Sequence, residues 1–314
     1  MTRHRSRAGI PLAPIKRWVG RFLLGMAVLL VARALWDAWP SVKGWRPSGL
    51  DALALGAASL GYGLALLLLA RAWSSLLAVV DGQAPRSGTA RAWTSTQLAK
   101  YLPGNVMHLA GRHLALRTLG YGDRTLALAA TAEVVVLLVG AGVVLGFVAA
   151  CWLAPIALVP LALALLAGHI LLLRVLGRQR AVRMTGAIGL SIGFFVAFAL
   201  VALVVLTVLT EARPLPVMTG GVASWAVGFV TPGAPAGLGA REASFLWFLR
   251  GEASAGDLVL SATLVRIVTT LGDGIAFALG LLLPKAHLAP GAQVSPSAQA
   301  GEGGARHGAP SYAR

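Results

Sequence analysis

Six stretches of this chain are each apolar for about twenty residues, the length a helix needs to cross a ~30 Å hydrocarbon layer. They fall at roughly 19–38, 50–70, 126–149, 154–173, 187–209 and 258–283. A soluble fold of 314 residues could not keep that surface dry, since 57% of the chain is apolar and only 12% charged, against about 25% charge in ordinary soluble domains. The segments predict an all-α, polytopic transmembrane helix bundle. The first run reads as a retained span rather than a secretion signal. Arg33 interrupts it, and Trp36, Trp39 and Pro40 stand where a cleavage site would need small residues.

The net charge of +16 raises the alternative of nucleic-acid binding, and the positions of the basic residues decide against it. Arg3, Arg5, Arg7, Lys16 and Arg17 precede the first span, whereas the first loop is nearly balanced by Asp37, Lys43, Arg46 and Asp51. Arg71, Arg86, Arg91 and Lys100 follow the second span, Arg174, Arg178, Arg180 and Arg183 the fourth, and Lys285 the last. Basic residues gather in cytoplasmic loops, so both termini are expected in the cytoplasm, with the protein in the cell membrane. Anionic headgroups are then the natural partner of the excess charge. The single Cys151 cannot form an intramolecular disulfide, and neither a Cys/His metal cluster nor a Walker-type phosphate loop is present, so no cofactor is expected. Residues 1–15 and 286–314 are polar or rich in Ala, Gly, Ser and Pro, a composition that predicts disorder.

Two further segments are apolar enough to enter the membrane yet broken by Pro and Gly. One runs from Gln97 through Pro103, Gly104 and Asn105 to Arg112; the other runs from Ser224 through Pro232, Gly233, Gly237 and Gly239 to Glu242. Pro removes a backbone donor and Gly permits a reversal, so each segment suits a helix–break–helix hairpin. An Arg follows each Pro after nine residues, Arg112 after Pro103 and Arg241 after Pro232, which suggests an internal repeat. Non-helical backbone at membrane depth survives inside protein or beside water, so both hairpins are expected to line a cavity. Two spans, a hairpin and one span then make a first half of about 16–149. The same plan makes a second half of about 150–285 in inverted orientation, with the site where the broken segments meet. The first hairpin is expected to open to the cytoplasm and the second to the outside.

The string Lys100-Tyr-Leu-Pro-Gly-Asn-Val-Met-His108 with Gly111-Arg112, joined to Pro232-Gly233 and Gly237-Leu-Gly239-Ala-Arg241-Glu242, resembles the lysylphosphatidylglycerol synthase transmembrane-region family, also called flippase-like. Pro235-Ala236 departs from the uninterrupted Pro-Gly-Gly-Leu-Gly of that family. The likeness in span plan extends over roughly 15–285. It implies a lipid-handling membrane domain, which in the fused members moves aminoacylated phosphatidylglycerol across the bilayer. The fused members carry a soluble aminoacyl transferase as well, whereas here only the short polar tail follows the last span, so synthase activity is not expected.

Arg112 and Arg241 are candidates for bidentate capture of a lipid phosphate, against the plainer reading of structural ion pairs or snorkelling to the headgroups. Glu133, inside a span, calls for a cavity or a cationic partner, with an arginine of the hairpins the obvious one; proton coupling is the alternative. Glu242 reads as a partner to a neighbouring helix. Arg266, Thr269, Thr270 and Asp273 fall at i, i+3, i+4 and i+7, so they form one polar stripe that must face the bundle. Arg266 and Asp273 are thus candidates for the substrate path or for interhelical salt bridges. Lys100 and Tyr101 read as interfacial anchors at the hairpin mouth. Asn105 reads as a cap of the second half-helix, whose free N–H groups would suit an anion. His108 and His113 do not share a helical face and predict no metal. Gly186, Gly189 and Gly193 read as close helix packing.

The leading expectation is a flippase or transporter of an anionic phospholipid or lipid-linked precursor. A membrane-embedded headgroup transferase using Glu133 or Asp273 as base is one alternative, and a scaffold for a separate lipid-modifying enzyme is another.

Overall fold

The computed structural model describes residues 29, 36, 44–102, 107–153, 155–231 and 234–285. Most of the expected span at 19–38, the first 15 residues and the tail from 286 lie outside the described residues. In chain order the elements are α1 (Gly49–Asp81), α2 (Thr89–Ser95), a 3-10 turn (Gln97–Tyr101), α3 (Met107–Arg117) and α4 (Asp123–Leu153). A 3-10 turn (Pro155–Ala157) leads into α5 (Leu158–Leu176) and α6 (Arg178–Thr207). Then come α7 (Pro214–Val230), a 3-10 turn (Pro235–Gly237), α8 (Ala240–Phe248) and α9 (Ala255–Leu282). Five of these, α1, α4, α5, α6 and α9, are long and apolar enough to cross a membrane. They correspond to the last five of the six expected spans.

These helices carry apolar side chains toward both the bundle and the outside, as membrane helices do. On α4, Leu126, Val136 and Leu137 are buried while Leu128, Val135 and Phe147 are exposed where lipid would lie. α5 buries no residue and forms a periphery. Two spans run about ten residues past an expected end. α1 is capped by the Ser48–Asp51 pair and continues to Gly82, which ends it at φ 77°; Leu76, Leu77 and Val79 stay buried along the added turns. Arg71 therefore lies on the helix rather than in the connection. α6 begins at Arg178, directly after Gly177, so the basic residues expected in a loop form its first turns.

The centre is built from α1, α6 and α9. Gly63 and Gly272 allow α1 and α9 to touch: a Cβ on Gly63 would lie 2.9 Å from the Gly272 carbonyl oxygen, and one on Gly272 2.8 Å from that of Ser59. The Phe194 and Phe198 rings of α6 pack 5.9 and 6.0 Å from Tyr62. The expectation for α6 glycines is corrected here: among the described residues Gly186 and Gly189 face no neighbour within 4 Å, while Gly193 meets the Leu68 side chain at 3.4 Å. Close packing depends on which glycine faces a partner, and spacing within one helix does not carry that information.

Between the spans stand two short hairpins, α2–α3 and α7–α8. The first is fastened at the C-terminal end of α9, where Arg91 donates to the Leu283 carbonyl (3.0 Å) and Ser87 to that of Lys285 (2.9 Å). The second opens at the other end of α9, where Arg213 and Glu252 pair just before the Ser254 cap. The hairpins thus enter from opposite ends, and the turns Gln97–Tyr101 and Pro235–Gly237 meet inside.

Candidate functional site

Where the turns meet there is a cavity of about 530 Å³. Lys100, Arg112, Arg241 and Arg266 line it together with Glu133 and Asp273, and Thr269, Thr270 and His108 add neutral polar surface. The structure thus brings together every described residue put forward as a contact: Arg112, Glu133, Arg241, Arg266 and Asp273. Asn105, Pro103, Gly104, Pro232 and Gly233 lie outside the described residues.

The first hairpin presents an arginine paired with a carboxylate. Arg112, 3% exposed, donates from Nη1 to Glu133 Oε2 at 2.6 Å, and the Trp93 indole donates to Glu133 Oε1 at 2.7 Å. Its guanidinium lies 4.6 Å from the Trp73 ring and 5.3 Å from the Trp93 ring. An ion pair with both carboxylate oxygens engaged and aromatic faces around it offsets the cost of burying charge. The expected hairpin partner of Glu133 is therefore Arg112.

Lys100 and Tyr101 stand elsewhere than expected. They form the inner turn, not the mouth: Lys100 Nζ lies 2.7 Å from Asp273 Oδ1, and the Tyr101 hydroxyl donates to Asp273 Oδ2 at 2.6 Å and lies 3.1 Å from Thr270 Oγ1. Asp273 is 1% exposed, and a carboxylate so buried requires a cation, which outweighs the tendency of Lys to snorkel.

In the second hairpin α7 and α8 lie close because Gly228 faces the Arg241 side chain, with a Cβ there meeting Arg241 Cβ at 2.8 Å. The turn between them uses Ala236 at φ 49°, Gly237 at φ 73° and Gly239 at φ 81°. The inserted Pro235-Ala236 thus puts a non-glycine residue in the left-handed region, a strain of about 1–2 kcal/mol. Gly239 begins α8, and its N–H donates to Glu242 Oε2 at 2.7 Å. Glu242 Oε1 accepts from Arg266 Nη1 at 2.6 Å, so Glu242 is the partner to a neighbouring helix that its position predicts. Arg266 and Asp273 each make an interhelical ion pair, though with Glu242 and Lys100 rather than with one another.

Arg241 differs from all of these. Its guanidinium lies 4.9 Å from the Phe198 ring, it pairs with no carboxylate among the described residues, and its Nη2 is buried without an acceptor. Glu133, Asp273 and Glu242 each have both oxygens engaged elsewhere. The cavity therefore carries one uncompensated positive charge.

Trp73, Trp93 and the Lys100–Asp273 contact were not anticipated. Trp93, Gln97 and Tyr101 recur at four-residue spacing ahead of the break and all line the cavity, which is the signal in the sequence that could have found Trp93. His113 and Asp123 pair outside the cavity, 2.8 Å apart, and no metal-ligand cluster occurs among the described residues. Neither a known family model nor any curated protein or solved structure matches the chain.

Proposed function

We propose that this multi-pass membrane protein binds an anionic phospholipid, or a lipid-linked anionic precursor, in the cavity between its hairpins and moves it across the bilayer. The observation that carries the reading is Arg241, a buried guanidinium on the cavity wall whose neighbours have no carboxylate to spare. A guanidinium offers paired donors matched to phosphate oxygens, and a buried cation without a counter-charge favours an anionic guest. Hairpins entering from opposite ends supply the two half-barriers that alternating access requires. On this reading the chain is a relative of the lysylphosphatidylglycerol synthase transmembrane region in the cell membrane, with both termini cytoplasmic.

Transport is favoured over headgroup transfer by the state of the acids. Glu133 and Asp273 each face a cation with both oxygens engaged, which leaves neither as a ready general base. The test is the rate at which fluorescent anionic and zwitterionic lipids change leaflet in proteoliposomes. Wild-type protein should accelerate the anionic lipid, and Arg241→Gln should slow it by at least about tenfold, the loss of roughly 1.4 kcal/mol of anion stabilisation. Equal rates for both lipid classes, or an unaffected variant, would refute the assignment.

A further inference from the structure

Beside the large cavity is a second, much smaller hollow of about 10 Å³, walled by Arg241, Glu242, Phe245, Ala262, Val265 and Arg266. Trp73 Nε1, His108 Nδ1 and Arg112 Nε are buried without a described partner elsewhere, and three such donors belong to the two arginines of this hollow: Nη2 of Arg241, and Nε and Nη2 of Arg266. The last two form one edge of a guanidinium, the edge that grips an anion side-on. Glu242 makes no hydrogen bond to these donors: its Oε1 accepts from Arg266 Nη1 and its Oε2 from the Gly239 N–H. Two positive charges thus face one negative charge beside the apolar side chains of Phe245, Ala262 and Val265.

We propose that this hollow is a binding site for a monovalent inorganic anion of the halide class. Its volume is about that of one water molecule, which excludes a phosphate group and keeps any lipid headgroup in the main cavity. A water molecule would fit, but it brings no charge, whereas a halide both accepts the guanidinium donors and balances the excess charge in an apolar setting where that balance counts most. The ion fastens α8 to α9, the contact that holds the second hairpin beside the spans. Arg241 and Arg266 line both spaces, so a halide and a lipid phosphate compete for the same two guanidiniums. That last consequence rests on the proposed lipid reading; halide binding itself does not.

The experiment is thermal unfolding of the purified full chain in detergent, with chloride replaced stepwise by gluconate at constant ionic strength so that screening is unchanged. The midpoint should rise with chloride, by several degrees at saturation, as mass action on the folded state requires. Two variants keep the result attributable. Arg266→Lys retains the charge opposite Glu242 but lacks the side-on edge, and Ala262→Leu fills the hollow while leaving both arginines in place. Each should unfold cooperatively with a midpoint indifferent to chloride. A wild-type midpoint that ignores chloride overturns the proposal and leaves water as the occupant, and so does chloride dependence that survives in both variants. Because no lipid is used, a negative result here is separable from failure of lipid movement in liposomes.

Discussion

The two hairpins carry arginines at matching distances from their Pro-Gly breaks, yet the arginines are in opposite electrostatic states. Arg112 is held between two indole rings and a carboxylate that also accepts from Trp93. Arg241 rests on Phe198 with no carboxylate partner among the described residues. In the first hairpin the charge is consumed internally, and in the second it is left for a guest. An arginine after a break is therefore not evidence of a ligand site until the acids around it are accounted for, since a paired guanidinium fastens the fold and an unpaired one stores attraction for an anion.

The sharpest way to break the comparison is to remove the counter-charge of the first hairpin. Glu133→Gln leaves Arg112 buried without an ion partner, which should cost about 3–5 kcal/mol of stability, read as a lower thermal midpoint in detergent. With chloride replaced by gluconate, Arg241→Gln should leave that midpoint unchanged or raise it, because it removes a buried cation that has no carboxylate partner to lose. Comparable destabilisation by both changes would mean that the two arginines play the same role.

A smaller effect is expected from Gly237→Ala. A Cβ there sits at φ 73° and 2.9 Å from the Gly228 carbonyl oxygen, so the turn of the second hairpin must open. The cost is about 1–3 kcal/mol, with lipid movement lost as Arg241 shifts. An unaltered midpoint and rate would show that the turn does not position the arginine.

The smallest effect concerns the clasp at the mouth of the second hairpin. Arg213 lies beside Glu252, and its hydrogen bond holds the Glu252 carboxyl below the usual carboxylate range. A depressed folded-state value means that the stabilisation is present above the ordinary carboxylate pKa and is lost as pH falls through the lower folded value. Wild-type stability should accordingly decline in the acid range, and Arg213→Gln should flatten part of that slope. An identical pH profile in the variant would remove the clasp from the account.

Much of the fold could be read in advance because its signals are local. Apolarity over a single run announces a span, and the Pro-Gly breaks announced both hairpins although the breaks themselves lie outside the described residues. The stripe Arg266, Thr269, Thr270 and Asp273 faces the cavity as its helical spacing requires, because a helix cannot turn that face to lipid without exposing charge. Glu133 likewise found the hairpin arginine its burial called for. Lys100 was misplaced because a lysine near an apolar segment ordinarily reaches for the headgroups, and only the buried Asp273, 173 residues away, draws it inward.

Composition and order along the chain determined that it is a membrane helix bundle, where most of its spans run, where it breaks, and which side chains cannot face lipid. Those properties depend on each segment's own transfer from water, which neighbours do not alter. Which arginine is paired and which is free was decided by the tertiary structure. Pairing depends on distances of a few ångströms between helices remote in sequence, and two equivalent motifs can end with opposite charge balance when one meets Glu133 and the other meets Phe198.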